Sequence, residues 1–360
     1  MAELFVIVMA GGKGQRFWPF SRIQRPKQCL PITSEKPMIV ETIDRFFPLV
    51  SHERVFISTG SHLADHIRSQ LPNVNYIIEP IGRDTAACIT LSALKIQHDF
   101  PNTDSILVIA GSDYNIPLED KVQFHNDLRL ATKLAEQGYI VTLGIPPSRP
   151  ATQYGYIHKG TSLPELSHSQ VYTVKEFVEK PNEEVAKSYI QSGQHLWNSG
   201  MFIAKTETML SEIKCFMPDM YETIYKAKEK DFDPDALIKA FHSIKDPKSI
   251  DYGVMERTKK LVLVETSFRW DDIGDWLSLE RILPKDEAGN IIHGKANFLG
   301  LKTKNCIISS LMPEHIVTLG CKDLVIVQAE DCLFIASKRE VEDLKLLLKK
   351  VNEENLEFLT

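Results

Sequence analysis

No two of the six cysteines (Cys29, Cys88, Cys215, Cys306, Cys321 and Cys332) have the Cys-x-x-Cys spacing of a redox or metal motif. They fall singly in apolar stretches and read as buried free thiols, which excludes a disulfide scaffold. Also missing is an apolar run long enough to span a bilayer. The opening segment, Met1 to Ala10, is too short, lacks a basic leader and runs straight into glycines, so the expectation is a cytoplasmic chain without a signal peptide. There is no excess of positive charge. The net charge of -6 argues against non-specific binding to nucleic acid or an anionic membrane. One local scarcity runs the other way: between Glu3 and Glu35 no acidic side chain occurs, yet Lys13, Arg16, Arg22, Arg25 and Lys27 do, the charge pattern expected around a bound polyphosphate.

The 360 residues suffice for one large core and a smaller unit. Continuous apolar runs at Leu4–Met9, Val55–Ser58, Ile106–Ile109 and Ile140–Leu143 read as strands covered on both faces. Helical spacing falls between them at Met38–Phe46, Thr85–Gln97 and Asn126–Gln137. Strand and helix in alternation predict a doubly wound α/β sheet whose ligands sit beyond the carboxyl ends of its strands. From about Leu283 the texture changes. Pro284 and Gly289 break the pattern, and short β-rich pieces follow at Cys306–Ile308, Ile316–Leu319, Leu324–Val327 and Leu333–Ala336. The expected division is a catalytic domain over 1–283 and a small β unit with a terminal helix over 284–360. That helix, Arg339–Val351, is expected to cap the unit or, with it, to form a homodimer contact.

The first strand leads into Ala10-Gly11-Gly12-Lys13-Gly14-Gln15-Arg16, then Trp18-Pro19, Ser21-Arg22 and Pro26-Lys27-Gln28. Glycines let backbone N–H groups approach phosphate oxygens, and Arg16 and Lys27 can add charge-assisted hydrogen bonds; a merely tight turn is the plainer reading. A Walker loop is excluded because no Lys-Ser or Lys-Thr follows the last glycine. The dinucleotide fingerprint fails because Trp18-Pro19 breaks the chain where its helix belongs. Two acids stand out further on. Asp113 ends the apolar run Ile106–Ala110 beyond Gly111 and Ser112, and Asp272 lies among the aromatics of Trp270-Asp271-Asp272-Ile273-Gly274-Asp275-Trp276. Magnesium takes one or two carboxylates together with substrate phosphates, which suits this pair, although a helix cap and a Trp-anchored surface loop explain them as well. Glu79-Pro80-Ile81-Gly82-Arg83-Asp84-Thr85-Ala86 precedes a helix that Asp84 or Thr85 could cap. Guanine presents adjacent donors that a carboxylate or a carbonyl there could accept.

The run Gly11-Gly12-x-Gly14-x-Arg16-x-Trp18-Pro19-x-Ser21-Arg22, with Pro26-Lys27-Gln28, resembles the signature of the mannose-1-phosphate guanylyltransferases, a branch of the sugar-nucleotide pyrophosphorylases. Tyr154-Gly155-Tyr156-Ile157, Phe177-Val178-Glu179-Lys180-Pro181, Trp197-Asn198-Ser199-Gly200 and Ser249-Ile250-Asp251-Tyr252 resemble further motifs of that family in the same order. The resemblance implies a Rossmann-like, GT-A-like mixed sheet with a left-handed β-helix-like appendage. It also implies GTP and mannose 1-phosphate as substrates, and GDP-mannose and pyrophosphate as products. Ala10, Gly11, Gly12, Gly14, Arg16, Lys27, Glu79, Asp84, Thr85, Gly111 and Asp113 would bind the nucleotide. Tyr154, Gly155, Glu179, Lys180, Asn198 and Asp251 would bind the sugar phosphate. Mg2+ would sit on Asp113 and Asp272, and Arg16, Lys27, Asp113, Lys180 and Asp272 would carry catalysis. Three positions depart from the family pattern: Tyr114 stands for His, Asp84 for Asn and Ala151 for Glu. They leave open a pyrophosphorylase for another sugar or base; a non-catalytic GDP-sugar sensor is the rival of a different class.

Overall fold

The computed structural model describes residues 2–12, 14–23, 25–163 and 170–354. The central sheet begins with β1 (Glu3–Met9). After α1 (Met38–Phe46) come β2 (Val55–Gly60), α2 (Ser61–Gln70), β3 (Asn75–Glu79), α3 (Asp84–Asp99) and β4 (Ser105–Gly111). A two-residue strand, β5 (Tyr114–Asn115), precedes α4 (Lys121–Glu136), β6 (Ile140–Ile145), β7 (Tyr156–Ser162) and β8 (Val171–Val178). There follow α5 (Glu183–Ser192), β9 (His195–Lys205), α6 (Thr206–Phe216), α7 (Pro218–Lys228), α8 (Pro234–Ser243), β10 (Leu261–Glu265), β11 (Asp271–Asp272) and α9 (Leu279–Ile282). The nine-stranded sheet has the order β3-β2-β1-β4-β9-β6-β10-β8-β7. Strands β1 to β4 are parallel, whereas β9 runs antiparallel to β4 and to β6, making the sheet mixed.

The unbroken apolar run of β1 follows from its place in the middle. Val6 and Val8 point into a core with Ile43 of α1, Leu63 of α2 and Leu128 of α4, while Phe5 and Ile7 point into a second core with Leu94 of α3, Ile213 of α6 and Ile224 of α7. With both faces covered, neither alternate set of side chains can be polar. The expected helix at Met38–Phe46 matches α1. Helix α4 starts at Lys121, earlier than the apolar spacing predicts, and its first turn already buries Phe124 against the core.

Beyond residue 290 the chain coils through β12 (Ile291–Gly294), β13 (Asn297–Leu301), β14 (Ile307–Ser310), β15 (His315–Leu319), β16 (Leu324–Gln328) and β17 (Leu333–Ser337). Strands β12, β14 and β16 stack in parallel with β17 antiparallel at the edge, and β13 pairs in parallel with β15 on a separate face. The last helix, α10 (Leu344–Glu353), does cap this unit: Val341, Leu344 and Leu348 are buried.

The coil does not stand apart from the glycine-rich turn. Ile291, Ile307, Val325, Phe334, Leu344 and Leu348 share one core with Phe17, Trp18, Phe20, Leu30 and Trp276. The Trp276 indole is fully buried, edge-on to Phe20 at 5.0 Å between centroids, and donates its Nε1–H to the Trp18 carbonyl at 3.0 Å. Two of the basic residues expected around a polyphosphate belong here instead. Arg22 bonds Asp331 at 2.6 Å and Arg25 bonds Glu330 at 3.2 Å, so both guanidinium groups are engaged by the turn between β16 and β17. Lys13 lies outside the described residues.

Trp276→Ala should cost about 3–5 kcal/mol, as expected for removing a buried large aromatic, whereas Glu330→Ala at an exposed ion pair should cost under about 1 kcal/mol. Urea unfolding of the two variants checks the contrast.

Candidate active site

Strand β4 delivers its last residue, Gly111, to the carboxyl edge of the sheet, and Asp113 follows in the turn. Its neighbour Tyr114 pairs with Asp272 in the ribbon β5–β11. Acids separated by more than 150 positions in the sequence are thereby brought side by side, near enough for the Asp113 charge to act on Asp272. Lys27, itself buried, donates to Asp113 at 2.8 Å. Arg16 is exposed on the glycine-rich turn, and its Nη1 and the Asp272 Oδ2 each lie 3.9 Å from the point where a Cβ on Gly274 would sit. Two acids and two cations therefore share one edge of the sheet. Burial and the neighbouring Asp113 charge push the Asp272 carboxyl up to about 6, against the pull of Lys27.

Asp271 and Asp272 are not equivalent. Asp271 is held by Arg281 through two bonds of 2.6 Å and is neutralised there. Asp271 and Arg281 both line a cavity of about 1070 Å³ behind the ribbon, whose wall includes neither Asp113 nor Asp272. Among the described residues no hydrogen bond or ion pair holds the Asp272 side chain. Arg281 was invisible to motif reading, since it lies ten positions beyond Asp271 in a different element and has no signature of its own.

The glycines divide by role. Gly11 and Gly12 are exposed, with nothing within 4 Å of an added Cβ, leaving the front of the turn open. Gly14 has φ +61°, and a Cβ there would fall 2.2 Å from that of Lys27. Its bare backbone is what lets Lys27 close in under the turn. The Ala10 carbonyl accepts from Thr59 Oγ1 at 2.8 Å and Gln28 Nε2 at 3.2 Å.

The segment from Glu79 to Ala86 lies along the same edge. Glu79 is buried beside Ser58 Oγ at 3.4 Å, and burial raises its carboxyl. Helix α3 is not capped as expected. Asp84 takes a left-handed backbone, φ +62°, and accepts only the adjacent Thr85 N–H at 2.7 Å. Thr85 Oγ1 instead accepts the Ile250 N–H at 2.8 Å, tying this segment to the one that carries Asp251.

Asp251 opens a π-helical turn, Asp251–Met255, a local geometry that recurs at functional sites. Asn198 Nδ2 donates to it at 2.9 Å, while burial and the Glu179 charge push its carboxyl up to about 6. Glu179 accepts from Lys180 at 2.5 Å and lies so close to Gly155 that a Cβ there would stand 2.3 Å from Oε2. Burial would lower the Lys180 ammonium, but the bond to Glu179 and the charges of Glu179 and Asp251 together outweigh it and the group is raised. Glu179, Lys180, Asn198, Gly155 and Asp251 thus form one polar cluster. Tyr154 stands apart from it: its ring packs edge-on against Trp197 and Trp270, and its hydroxyl faces Arg149 at 3.1 Å and Asp271 at 3.5 Å. Ala151 is buried.

A mixed α/β sheet that gathers two acids and two cations at the carboxyl end of its strands, with a polar cluster around Asn198 and Asp251, has the architecture of a nucleotide-processing enzyme, whose ligands sit at that edge. Residues 5–289 match the Nucleotidyl transferase family. A mannose-1-phosphate guanylyltransferase of Klebsiella pneumoniae is 36% identical over 95% of this chain and 72% of its own length; one from Escherichia coli K12 is 36% identical over 97% and 74%. A crystal structure from Thermus thermophilus, described as a mannose-1-phosphate geranyltransferase, superposes with a TM-score of 0.87 at 30% identity, covering 97% of this chain and 99% of that one. The chain belongs to the mannose-1-phosphate guanylyltransferase family.

Folding favours the protonated form of Asp272, so stability falls as pH rises towards and through about 6, where the folded chain must ionise it. In metal-free protein at pH 7.5, Asp272→Asn should therefore raise the melting temperature, by about 1–4 °C. Scanning calorimetry at pH 5 and pH 7.5 checks this; the gain should shrink at the lower pH.

Proposed function

We propose that this chain transfers GMP from GTP to mannose 1-phosphate, forming GDP-mannose and pyrophosphate, with Mg2+ held by Asp113 and Asp272. The convergence of Asp113, Asp272, Arg16 and Lys27 at one edge of the sheet supports this reading most directly. A carboxylate whose proton affinity is raised by burial and by a second carboxylate beside it suits a hard divalent cation, and no third metal-ligating side chain joins them among the described residues. Phosphate oxygens and water would complete the octahedral shell that magnesium prefers. Bound there, the cation would supply charge neutralisation between the reacting phosphates.

The ionised sugar phosphate is itself a nucleophile, so the chain has to align two anions rather than provide an attacking group. In this reading the open front of Gly11 and Gly12 admits the triphosphate, and Arg16 and Lys27 hold the departing pyrophosphate. Lys27 also pulls the proton affinity of Asp272 down, against the burial and the Asp113 charge that raise it. Lys180 takes the sugar phosphate, and Glu179, Asn198 and Asp251 accept from or donate to mannose hydroxyls. Glu79, Asp84 and Thr85 face the base. The in-line attack on the α-phosphorus then needs no protein-bound intermediate.

Pyrophosphate release with GTP, mannose 1-phosphate and Mg2+ should exceed that with ATP or glucose 1-phosphate, and Asp272→Asn should lose about a hundredfold or more in turnover. Nucleotide binding without pyrophosphate release would favour a sensor instead.

The cysteines that are buried and free suit a reducing, cytoplasmic setting, and among the described residues no helix is long and apolar enough to cross a membrane. A homodimer is proposed through β13 and β15, where Leu299 and Leu301 sit in register with Val317 and Leu319 and all four are 64–72% exposed. Sedimentation should give a dimer that Leu299→Glu with Leu319→Glu converts to monomer.

A further inference from the structure

Tyr114 is buried one position after a proposed metal ligand, and its hydroxyl is engaged. The oxygen accepts the Gly111 N–H at 2.6 Å. It also fills the space beside two glycines: a Cβ on Gly111 would lie 2.8 Å from it, and one on Gly200 3.3 Å. The ring leans on Trp270 with centroids 5.6 Å apart. The main chain of the same residue pairs with Asp272 across the ribbon. One residue thus touches the end of β4, the turn in β9 that follows Asn198, and the strand that carries the second acid.

The bond from Gly111 to Tyr114 closes a short loop whose remaining members are Ser112 and Asp113. The Gly111 N–H stands at the end of a parallel strand, where the sheet no longer supplies an acceptor, and would otherwise be left partly buried and unpaired. Closing the loop removes the freedom of the Asp113 backbone. The carboxylate is then aimed from two sides, by Lys27 at its tip and by the Tyr114 anchor at its base.

We infer that Tyr114 is a positioning residue for the metal pair: its hydroxyl fixes the loop from Gly111 so that Asp113 stands at a set distance from Asp272. This rests on the reading of Asp113 and Asp272 as metal ligands. A merely space-filling tyrosine would make a different prediction, because its loss would lower stability and leave metal affinity alone.

Tyr114→Phe keeps the ring and its contact with Trp270 and removes only the hydroxyl. Mn2+ serves as the probe, its free concentration followed by electron paramagnetic resonance in the presence of GTP, for wild type, Tyr114→Phe and Asp272→Asn. The expected result is a Kd for Mn2+ raised about three- to tenfold in Tyr114→Phe, the equivalent of one neutral hydrogen bond. The KM for mannose 1-phosphate should stay within about twofold of wild type, since the sugar cluster keeps its own bonds. An unchanged Mn2+ affinity in Tyr114→Phe, with Asp272→Asn clearly weakened, overturns the positioning role and leaves the metal reading intact. Equal binding by all three proteins overturns both.

Discussion

Two like charges held together at the end of a sheet are the constraint on which the rest of this molecule depends. Asp113 and Asp272 can coexist ionised only where cations offset their repulsion, and the surroundings are organised to that end. Lys27 is buried against one acid, Arg16 stands over the other, and Arg281 withdraws Asp271 so that a third negative charge does not join them. What remains is a pair of carboxylates balanced by two cations at one edge of the sheet.

The coil at the C-terminal end takes part in holding these charges in place. The glycine-rich turn contributes Phe17, Trp18 and Phe20 to a core whose other wall is made by β12, β14, β16 and α10. Arg22 and Arg25 bind the same unit. A glycine-rich turn would be floppy if it were only a connection between strand and helix; here it is clamped from behind. Trp276 joins the two, because the segment that supplies Asp272 also supplies the indole that bonds the Trp18 carbonyl. The spacing of the Trp-Asp-Asp-x-Gly-x-Trp stretch is thereby explained: one end reaches the acid pair and the other anchors the turn that carries Arg16.

Much of this was legible in the sequence, for identifiable reasons. Buried parallel strands are apolar on both faces, so β1, β2, β4 and β6 announce themselves, and the residues after them point to the site. The acid-free stretch before Glu35 was a true sign of local charge but an imperfect guide to its use. Arg16 and Lys27 lie beside the acid pair while Arg22 and Arg25 turn to the coil, a difference set by tertiary packing that no spacing rule encodes. Thr85 looked like a helix cap and instead holds the Ile250 amide, because the cap rule considers only the local backbone. Arg281 was unreadable for the same reason: its partner Asp271 is placed only once β5 and β11 have paired, while the short loop that turns the Tyr114 hydroxyl back to the Gly111 N–H has no sequence signature.

The Thr85 to Ile250 bond has a wider consequence. It welds the segment containing Glu79 and Asp84 to the turn containing Asp251, so the regions proposed to face the base and the sugar form one mechanical body. Such a chain is not modular at that point. Transplanting residues 79–86 from a relative of different base preference would also displace the acid on the far side of the groove, so new specificity would have to arise by changes on both sides at once.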